Sequence, residues 1–482
     1  MTESLWFDET WRTSARLNPE HAFDVLIRDV HNPLYNGFMY LWIRVAGESE
    51  WVLRLPSLLA GYLSVLLFCR WLARIHSPRL ARWTGAWLLL APAHLWYSTE
   101  AKNNMFTVLF SVIILTAFWR LAEGRRRRVT MFAGLATALA ILNDFATLTL
   151  LIPAAVCVVT DRCGRPLAHR LRSVGAALGI GFALTAPLLV YKVLHLDSLA
   201  RSYARHLDLR ELFLLLVNYF PSGNALIPIS PDQPELAFEG SRLILMITTG
   251  TVCLGLITAG MVAAHRRRES EVTPSGDRSP AKWLALSLII PLVGVFCASA
   301  ALHMVWPDRG RYIYQERNLL PLLYPYAALI CAGLLTLRRR ALRRGAMILA
   351  FSIPLVADGL LLGPHDGEWT VYKPTPDWHV AAAWLKDNVP TDPPPVVLAR
   401  CPSDPLAYYH SPLHRVHLES WPPSAAHLAD LTQRFGVQEF YLVSNRFWFP
   451  IDVTQLTKTA PQWQAVPILK ARALRLYQLK SK

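Results

Sequence analysis

Charged side chains are scarce in this chain. They make up 17% of its 482 residues, where a soluble chain carries nearer a quarter. Much of its length therefore has no ordinary water-facing surface. Cysteine is sparse too. Six of the seven (Cys69, Cys157, Cys163, Cys253, Cys297, Cys331) lie in or beside apolar stretches, and Cys401 stands alone in the C-terminal region. With no C-x-x-C pair, neither a disulfide framework nor a structural zinc site is indicated. Residues 1–15 lack the basic head and apolar core of a secretory leader. A formal net charge of +15 raises nucleic acid as a candidate partner. However, its basic runs hold no interleaved aromatics and form no continuous stripe, which excludes that partner.

What the chain does have is apolar sequence, 53% of its residues, gathered into blocks such as LLAGYLSVLLF, MFTVLFSVIILTAFW and LALSLIIPLVGVFCASAAL. Strands of a soluble sheet are shorter and bounded by turns, whereas lipid spans need roughly 20 such residues. Spans are expected near 51–71, 83–98, 101–120, 129–143, 146–160, 173–193, 241–264, 283–303, 318–337 and 345–362. Five connecting loops are strongly basic: CRWLARIHSPRLAR, RLAEGRRRR, DRCGRPLAHRLR, HRRRES through DRSPAK, and LRRRALRR. The positive-inside rule places all five in the cytoplasm on one alternating path. Residues 1–50, 97–103, 143–145, 194–240, 304–317 and the tail from 363 then lie outside.

The organisation expected is a first extracytoplasmic loop (1–50) with interfacial helices and an acidic motif, a membrane domain of about ten helices (51–362), and a small extracytoplasmic α/β domain (363–482). In the last, VVLA, FYLV and RLYQL suit short strands. DWHVAAAWLKDN has helical spacing, with a start at Asp377 after Pro376. Three outer segments concentrate polar groups beside apolar helix ends: SLWFDETW through EWVLRLPS, LWYSTEAKNNM, and WPDRGRYIYQERN. All three fall on one face without adjustment of the path. Charged residues set among so much apolar sequence indicate a membrane enzyme whose chemistry sits at that face.

The ordered motifs WFDE (6–9), DVHNPLY (29–35), RLPS (54–57), WYSTEAKNN (96–104), Arg317-Asn318 and DWHVAAAWL (377–385) resemble those of the GT-C superfamily of polyprenyl-phosphate-sugar-dependent glycosyltransferases. Within it, the similarity is to glycosyltransferase family 39 and the RgtA/B/C/D-like group. Departures are Asn32 for the second-position proline of H-P-P, Lys102 for the usual arginine, and Asn104 for the usual aromatic. Family members carry a spanning helix directly before W-x-D-E, so the resemblance leads one to expect a first helix upstream of Met1.

The resemblance implies an all-α polytopic membrane protein of GT-C fold with a small C-terminal α/β domain. It implies inverting transfer of a sugar from a polyprenyl-phosphate donor to a lipid, glycan or protein acceptor on the outer face. By the same resemblance Asp8 is the general base, with Glu9 orienting it and Glu100 as a second acid that binds acceptor hydroxyls. The bland alternative for all three is helix capping. Asp29 and His31 would line the cavity. The donor phosphate needs positive charge where the positive-inside bias does not supply it, and Lys102, Arg205 and Arg317 meet that condition. Snorkelling at the lipid interface is the alternative for each. No cofactor is required. Asp8, Glu100 and His31 would hold a divalent metal if one were used, although no HxH or HExxH spacing supports a dedicated site.

Two other functions fit ten spans. A transporter or flippase would place ionisable groups near midplane, but the polar clusters here lie at one face, Asn143 and Asp144 included. A noncatalytic partner derived from such an enzyme is the other. The expected location is the plasma (inner) membrane, with membrane lipids as surroundings and the site facing the periplasm or exterior.

Overall fold

The computed structural model describes residues 33–124, 127–161, 166–194, 209–226, 240–270, 279–305, 316–361, 377–399, 404–410, 413–418, 421–445, 451–471 and 474–482. It is a helical body followed by a small sheet-containing lobe. The body comprises α1 (Pro33–Ala46), α2 (Glu50–Ile75), α3 (Pro78–Leu90), α4 (Pro92–Ser98), α5 (Asn104–Glu123), α6 (Arg127–Asn143), α7 (Leu148–Thr160), α8 (Leu167–Leu194), α9 (Leu209–Leu214), α10 (Gly240–Ser270), α11 (Pro280–Val305), α12 (Leu323–Thr336) and α13 (Arg340–Leu361).

Among the described residues, six helices are long and apolar enough to cross a membrane: Glu50–Ile75, Asn104–Glu123, Leu167–Tyr191, Leu243–Val262, Pro280–Ala301 and Glu316–Thr336. The chain is a multi-pass membrane protein. Its lipid-facing side is legible in α2, where Leu58, Leu59, Tyr62, Leu63 and Leu66 are exposed while Ala60, Ser64, Val65 and Phe68 are buried. A helix with one apolar face in lipid and another in protein is apolar nearly all round.

The span expected over 83–98 is broken. Ala91 is extended and Pro92 opens a new helix, because proline supplies no N–H and restricts the residue before it. The span expected from 318 likewise begins as a 3-10 turn, Glu316–Leu322, containing Pro321. The second departure falls at the end of the bundle where the polar motifs gather. Deeper in the bundle, α10 and α12 meet backbone to backbone. A Cβ at Gly333 would strike the Leu256 carbonyl, and one at Gly260 would strike that of Leu329. Small residues allow such approach where no hydrophobic force drives helices together.

The lobe holds a five-stranded sheet in the order β2-β1-β3-β5-β4, comprising β1 (Val396–Ala399), β2 (His414–His417), β3 (Glu439–Asn445), β4 (Trp463–Ala471) and β5 (Leu474–Ser481). Strand β1 runs parallel to β2 and β3, while β5 is antiparallel to β3 and β4. Both faces are covered. Val397, Ala399, Tyr441 and Val443 pack under α14 (Trp378–Asn388) and α15 (Asp404–Tyr409). Val396, Leu398, Phe440 and Leu442 pack under α16 (Ala425–Phe435). The alternation of side chains along a strand divides these residues between the two cores. Asp377 caps α14, its side chain accepting from the Val380 N–H.

Candidate active site

The site is built on the turn between α4 and α5. The Lys102 N–H donates to the Glu100 carbonyl at 2.8 Å, and Ser57 Oγ donates to the Lys102 carbonyl at 3.0 Å. Ala101, at the centre of the turn, is buried with Tyr35, Met39, Ile43 and Leu53. The side chains on either side of it turn inward. Glu100 is 5% exposed and Lys102 8%, and Lys102 Nζ lies 3.7 Å from Glu100 Oε2. Two buried charges so placed compensate one another, since either alone carries a large desolvation cost.

A second turn, between α6 and α7, meets the first. Asp144 caps the short 3-10 segment Phe145–Thr147, its Oδ1 accepting from the Ala146 N–H at 2.9 Å. Asn103 Nδ2 donates to Asp144 Oδ2 at 2.7 Å. Beside this bond, Asn143 Nδ2 donates to Thr107 Oγ1 at 2.9 Å, and Thr107 Oγ1 donates to the Asn103 carbonyl at 3.1 Å. Burial raises the Asp144 carboxyl above its ordinary value, opposed by the Ala146 N–H, the Arg317 charge and the hydrogen bonds from Asn103 and Thr107.

The third component is the 3-10 segment Glu316–Leu322, which packs against Phe145–Thr147, α5 and α7. Glu316, Arg317 and Asn318 are half-buried there. The Arg317 charge acts on both Asp144 and Tyr97. The Tyr97 hydroxyl is joined to that of Tyr219 at 3.1 Å, and Tyr97 is also within electrostatic reach of Glu100 and Glu316.

Of the residues singled out from the sequence, the structure thus places Glu100, Lys102 and Arg317 at one end of the bundle. Asp8, Glu9, Asp29, His31 and Arg205 lie outside the described residues. Asp144 and Asn103 are additions. The sequence signal for Asp144 was its position as a lone acid between two apolar blocks, and Asn103 directly follows the E-A-K motif. No group of three or more His, Cys, Asp or Glu side chains suited to a metal occurs among the described residues. Of the three residues named for a divalent metal, Glu100 alone is described, and the Lys102 ammonium beside its carboxylate competes with a second cation for the same oxygens.

No curated protein matches the chain in sequence. Among solved structures, ArnT from Cupriavidus metallidurans in the apo state is 14% identical with a TM-score of 0.48, the alignment covering 99% of this chain and 94% of that one. The same protein bound to undecaprenyl phosphate gives 15%, 0.47, 99% and 94%. The oligosaccharyltransferase AglB from Archaeoglobus fulgidus, in complex with an inhibitory peptide and a dolichol-phosphate, gives 12%, 0.47, 99% and 71%. The match in sequence is to a family model. Residues 30–191, which include the Glu100–Lys102 turn and Asp144, match the dolichyl-phosphate-mannose-protein mannosyltransferase family, and over that stretch the chain resembles these membrane glycosyltransferases.

Proposed function

We propose that the chain is an inverting glycosyltransferase that moves a sugar from a polyprenyl-phosphate donor to a lipid, glycan or protein acceptor at the outer face of the membrane. The observation that carries this reading is the meeting of the buried Glu100–Lys102 pair with Arg317 at one end of the bundle. It occurs in a chain whose residues 30–191 match a family named for a dolichyl-phosphate-linked sugar.

In this reading a carboxylate, assigned to Asp8, takes the proton of an acceptor hydroxyl. The acceptor oxygen attacks the anomeric carbon from the side opposite the phosphate. The bond from that carbon to the phosphate oxygen breaks, and its electron pair leaves with the polyprenyl phosphate. Negative charge grows on the phosphate as this happens. Fixed cations help more there than in water, because they need no reorganisation at the moment of transfer. Lys102 and Arg317 supply that charge. Glu100 holds Lys102 in place and offers its remaining acceptor capacity to hydroxyls. Glu9, Asp29, His31 and Arg205 enter as secondary contacts.

The test incubates the full-length protein, in lipid, with polyprenyl-phosphate-linked pentoses and hexoses and a panel of acceptors. Transfer with inversion at the anomeric carbon is expected, and Asp8→Asn should lower turnover by about 100-fold or more. No transfer across the panel counts against the reading. Donor-stimulated movement of lipid without sugar transfer would support a flippase instead.

A further inference from the structure

We propose that the protein binds an anionic phospholipid at the end of the bundle opposite the Glu100–Lys102 turn, between the arginine-bearing starts of α3 and α13. This site is separate from that of the sugar donor and does not rest on the reading given above.

The helices fix where this end lies. α2 starts near the Glu100–Lys102 turn, where its Ser57 donates to the Lys102 carbonyl, and α5 starts at the same turn with Asn104. The two helices finish together, Arg74 Nη2 lying 3.6 Å from Glu123 Oε2. α3 begins directly after α2, at Pro78. α12 leaves the site end from the Glu316–Leu322 segment and finishes at Thr336. The short link 337–339 and the first turn of α13 therefore lie at the far end as well.

There α3 and α13 touch through aromatic residues. The Trp83 and Phe351 rings are 5.6 Å apart, and Trp87 Nε1 donates to the Ala350 carbonyl at 3.2 Å. Arg79 stands one turn before Trp83 on the same side of α3, and Arg340 and Arg344 stand on the side of α13 that Phe351 continues. Beyond the aromatic contact, the two helices thus turn arginines toward a common crevice. Arg338, Arg339 and Arg343 add to the same group. All six are exposed except Arg343, which is half-buried. No acid answers them. Asp and Glu are absent from residues 78–90 and 323–357, and none of the six forms an ion pair among the described residues. A helix start carries positive partial charge, so α13 gives its own arginines no compensation.

Like charges gathered in this way repel one another. Arginines at a membrane face orient a chain by their number, which does not require them on facing sides of two touching helices. Guanidinium forks match the oxygens of a phosphate, and a phosphate in the crevice would relieve the repulsion. The surface that continues from the arginines identifies the source of that phosphate as a lipid. Leu342, Ile348 and Leu349 are exposed on α13, an apolar track for acyl chains beside the head group. Basic pockets between spanning helices take anionic head groups by the same combination.

The experiment titrates dioleoyl phosphatidylglycerol into the intact protein in neutral detergent and counts retained lipid by native mass spectrometry. Phosphatidylcholine with the same chains is the comparison, and inorganic phosphate is added as a competitor. The parent should hold phosphatidylglycerol about 10-fold or more tighter than phosphatidylcholine, and inorganic phosphate at the lipid's concentration should not displace it. Arg340→Gln with Arg344→Gln should weaken phosphatidylglycerol about 10-fold or more, and Arg79→Gln alone about 5-fold, the scale of one basic residue at an anionic surface. Arg127→Gln with Arg128→Gln removes two exposed charges from the start of α6 at the same end and should leave affinity within about 2-fold of the parent. Equal losses in the two double variants would mean diffuse attraction and overturn the site. So would a parent that does not distinguish the two lipids. Displacement by inorganic phosphate would reassign the crevice to a free anion and overturn the lipid. Should the Arg340/Arg344 variant fail to insert, Arg79→Gln against Arg128→Gln carries the measurement, and a parental affinity in Arg79→Gln removes α3 from the site and overturns it.

Discussion

His379 Nε2 lies 2.6 Å from Glu50 Oε1, joining the first turn of α14 in the lobe to the first residue of α2 in the helical body. The contact is not alone. The Tyr409 hydroxyl donates to the same Glu50 oxygen, and the Tyr408 hydroxyl donates to the Glu48 carbonyl. The His379 and Tyr409 rings lie 3.9 Å apart. Tyr408 and Tyr409 also pack against the apolar cluster that buries Ala101. The lobe therefore packs on the same apolar cluster as the turn that carries Glu100 and Lys102.

Glu50→Ala removes the shared acceptor of two lobe side chains and should loosen the lobe without unfolding the body. The His379 side chain is half-exposed, so its hydrogen bond to Glu50 is worth at most about 1 kcal/mol. Hydrogen exchange in α14 and α15 is expected to rise by roughly 2- to 5-fold, the change such an energy allows. Exchange at the parental rate would show that the apolar cluster alone holds the lobe.

The crossing of α10 and α12 gives a second prediction. At Gly333 any side chain meets the Leu256 carbonyl, which belongs to backbone and cannot swing aside. Gly333→Ala should destabilise the protein by about 1–3 kcal/mol, the cost of overpacking a close contact. Gly359→Ala is the control, since nothing lies within 4 Å of its added carbon. It should be neutral or slightly stabilising, because alanine is the better helix former. Thermal inactivation in detergent compares the two, and equal losses would argue against a close helix crossing.

In the lobe, His410 is buried, and burial together with the nearby Lys386 charge holds its imidazole below the ordinary value. Between that depressed pKa and the unfolded value of about 6.5, the unfolded chain takes up a proton that the folded lobe refuses. Stability should therefore fall as pH drops through about 6.5 and level off once the folded imidazole also protonates. Thermal melts of the intact protein from pH 8 to pH 5, followed at lobe tryptophans, check this. His410→Gln should flatten the profile.

Much of this architecture was legible. The strand VVLA matches β1 residue for residue, because its alternating side chains feed two separate cores. The start of α14 was marked by Asp377 as a cap. The E-A-K motif identified the turn between α4 and α5 at one end of the bundle. Other features were hidden for physical reasons. Helices apolar on every side give no phase, so the sequence did not say which helices pair. The contact between Asn103 and Asp144 spans 41 positions and exists only once α5 and α6 have packed. The break at Ala91–Pro92 had its proline in view, but a proline inside an apolar run kinks some helices and ends others.

The pairing of Glu100 with Lys102 was also hidden, and it decides how both should be tested. Each is nearly buried beside the other, so Glu100→Gln alone removes the carboxylate that faces the buried ammonium. That should cost about 3 kcal/mol or more in stability, as breaking a buried pair does, and activity would fall for that reason alone. The informative variant changes both residues. Glu100→Gln with Lys102→Met removes the two charges together, and stability should return to within about 1 kcal/mol of the parent, since replacing a buried pair by groups of similar volume is often neutral. Sugar transfer should not return with it. If Lys102 compensates the leaving phosphate, turnover stays about 100-fold or more below the parent in a protein that melts normally. Thermal melting and turnover measured on the same samples separate the outcomes. A double variant that is stable and active would reduce Glu100 and Lys102 to a structural pair.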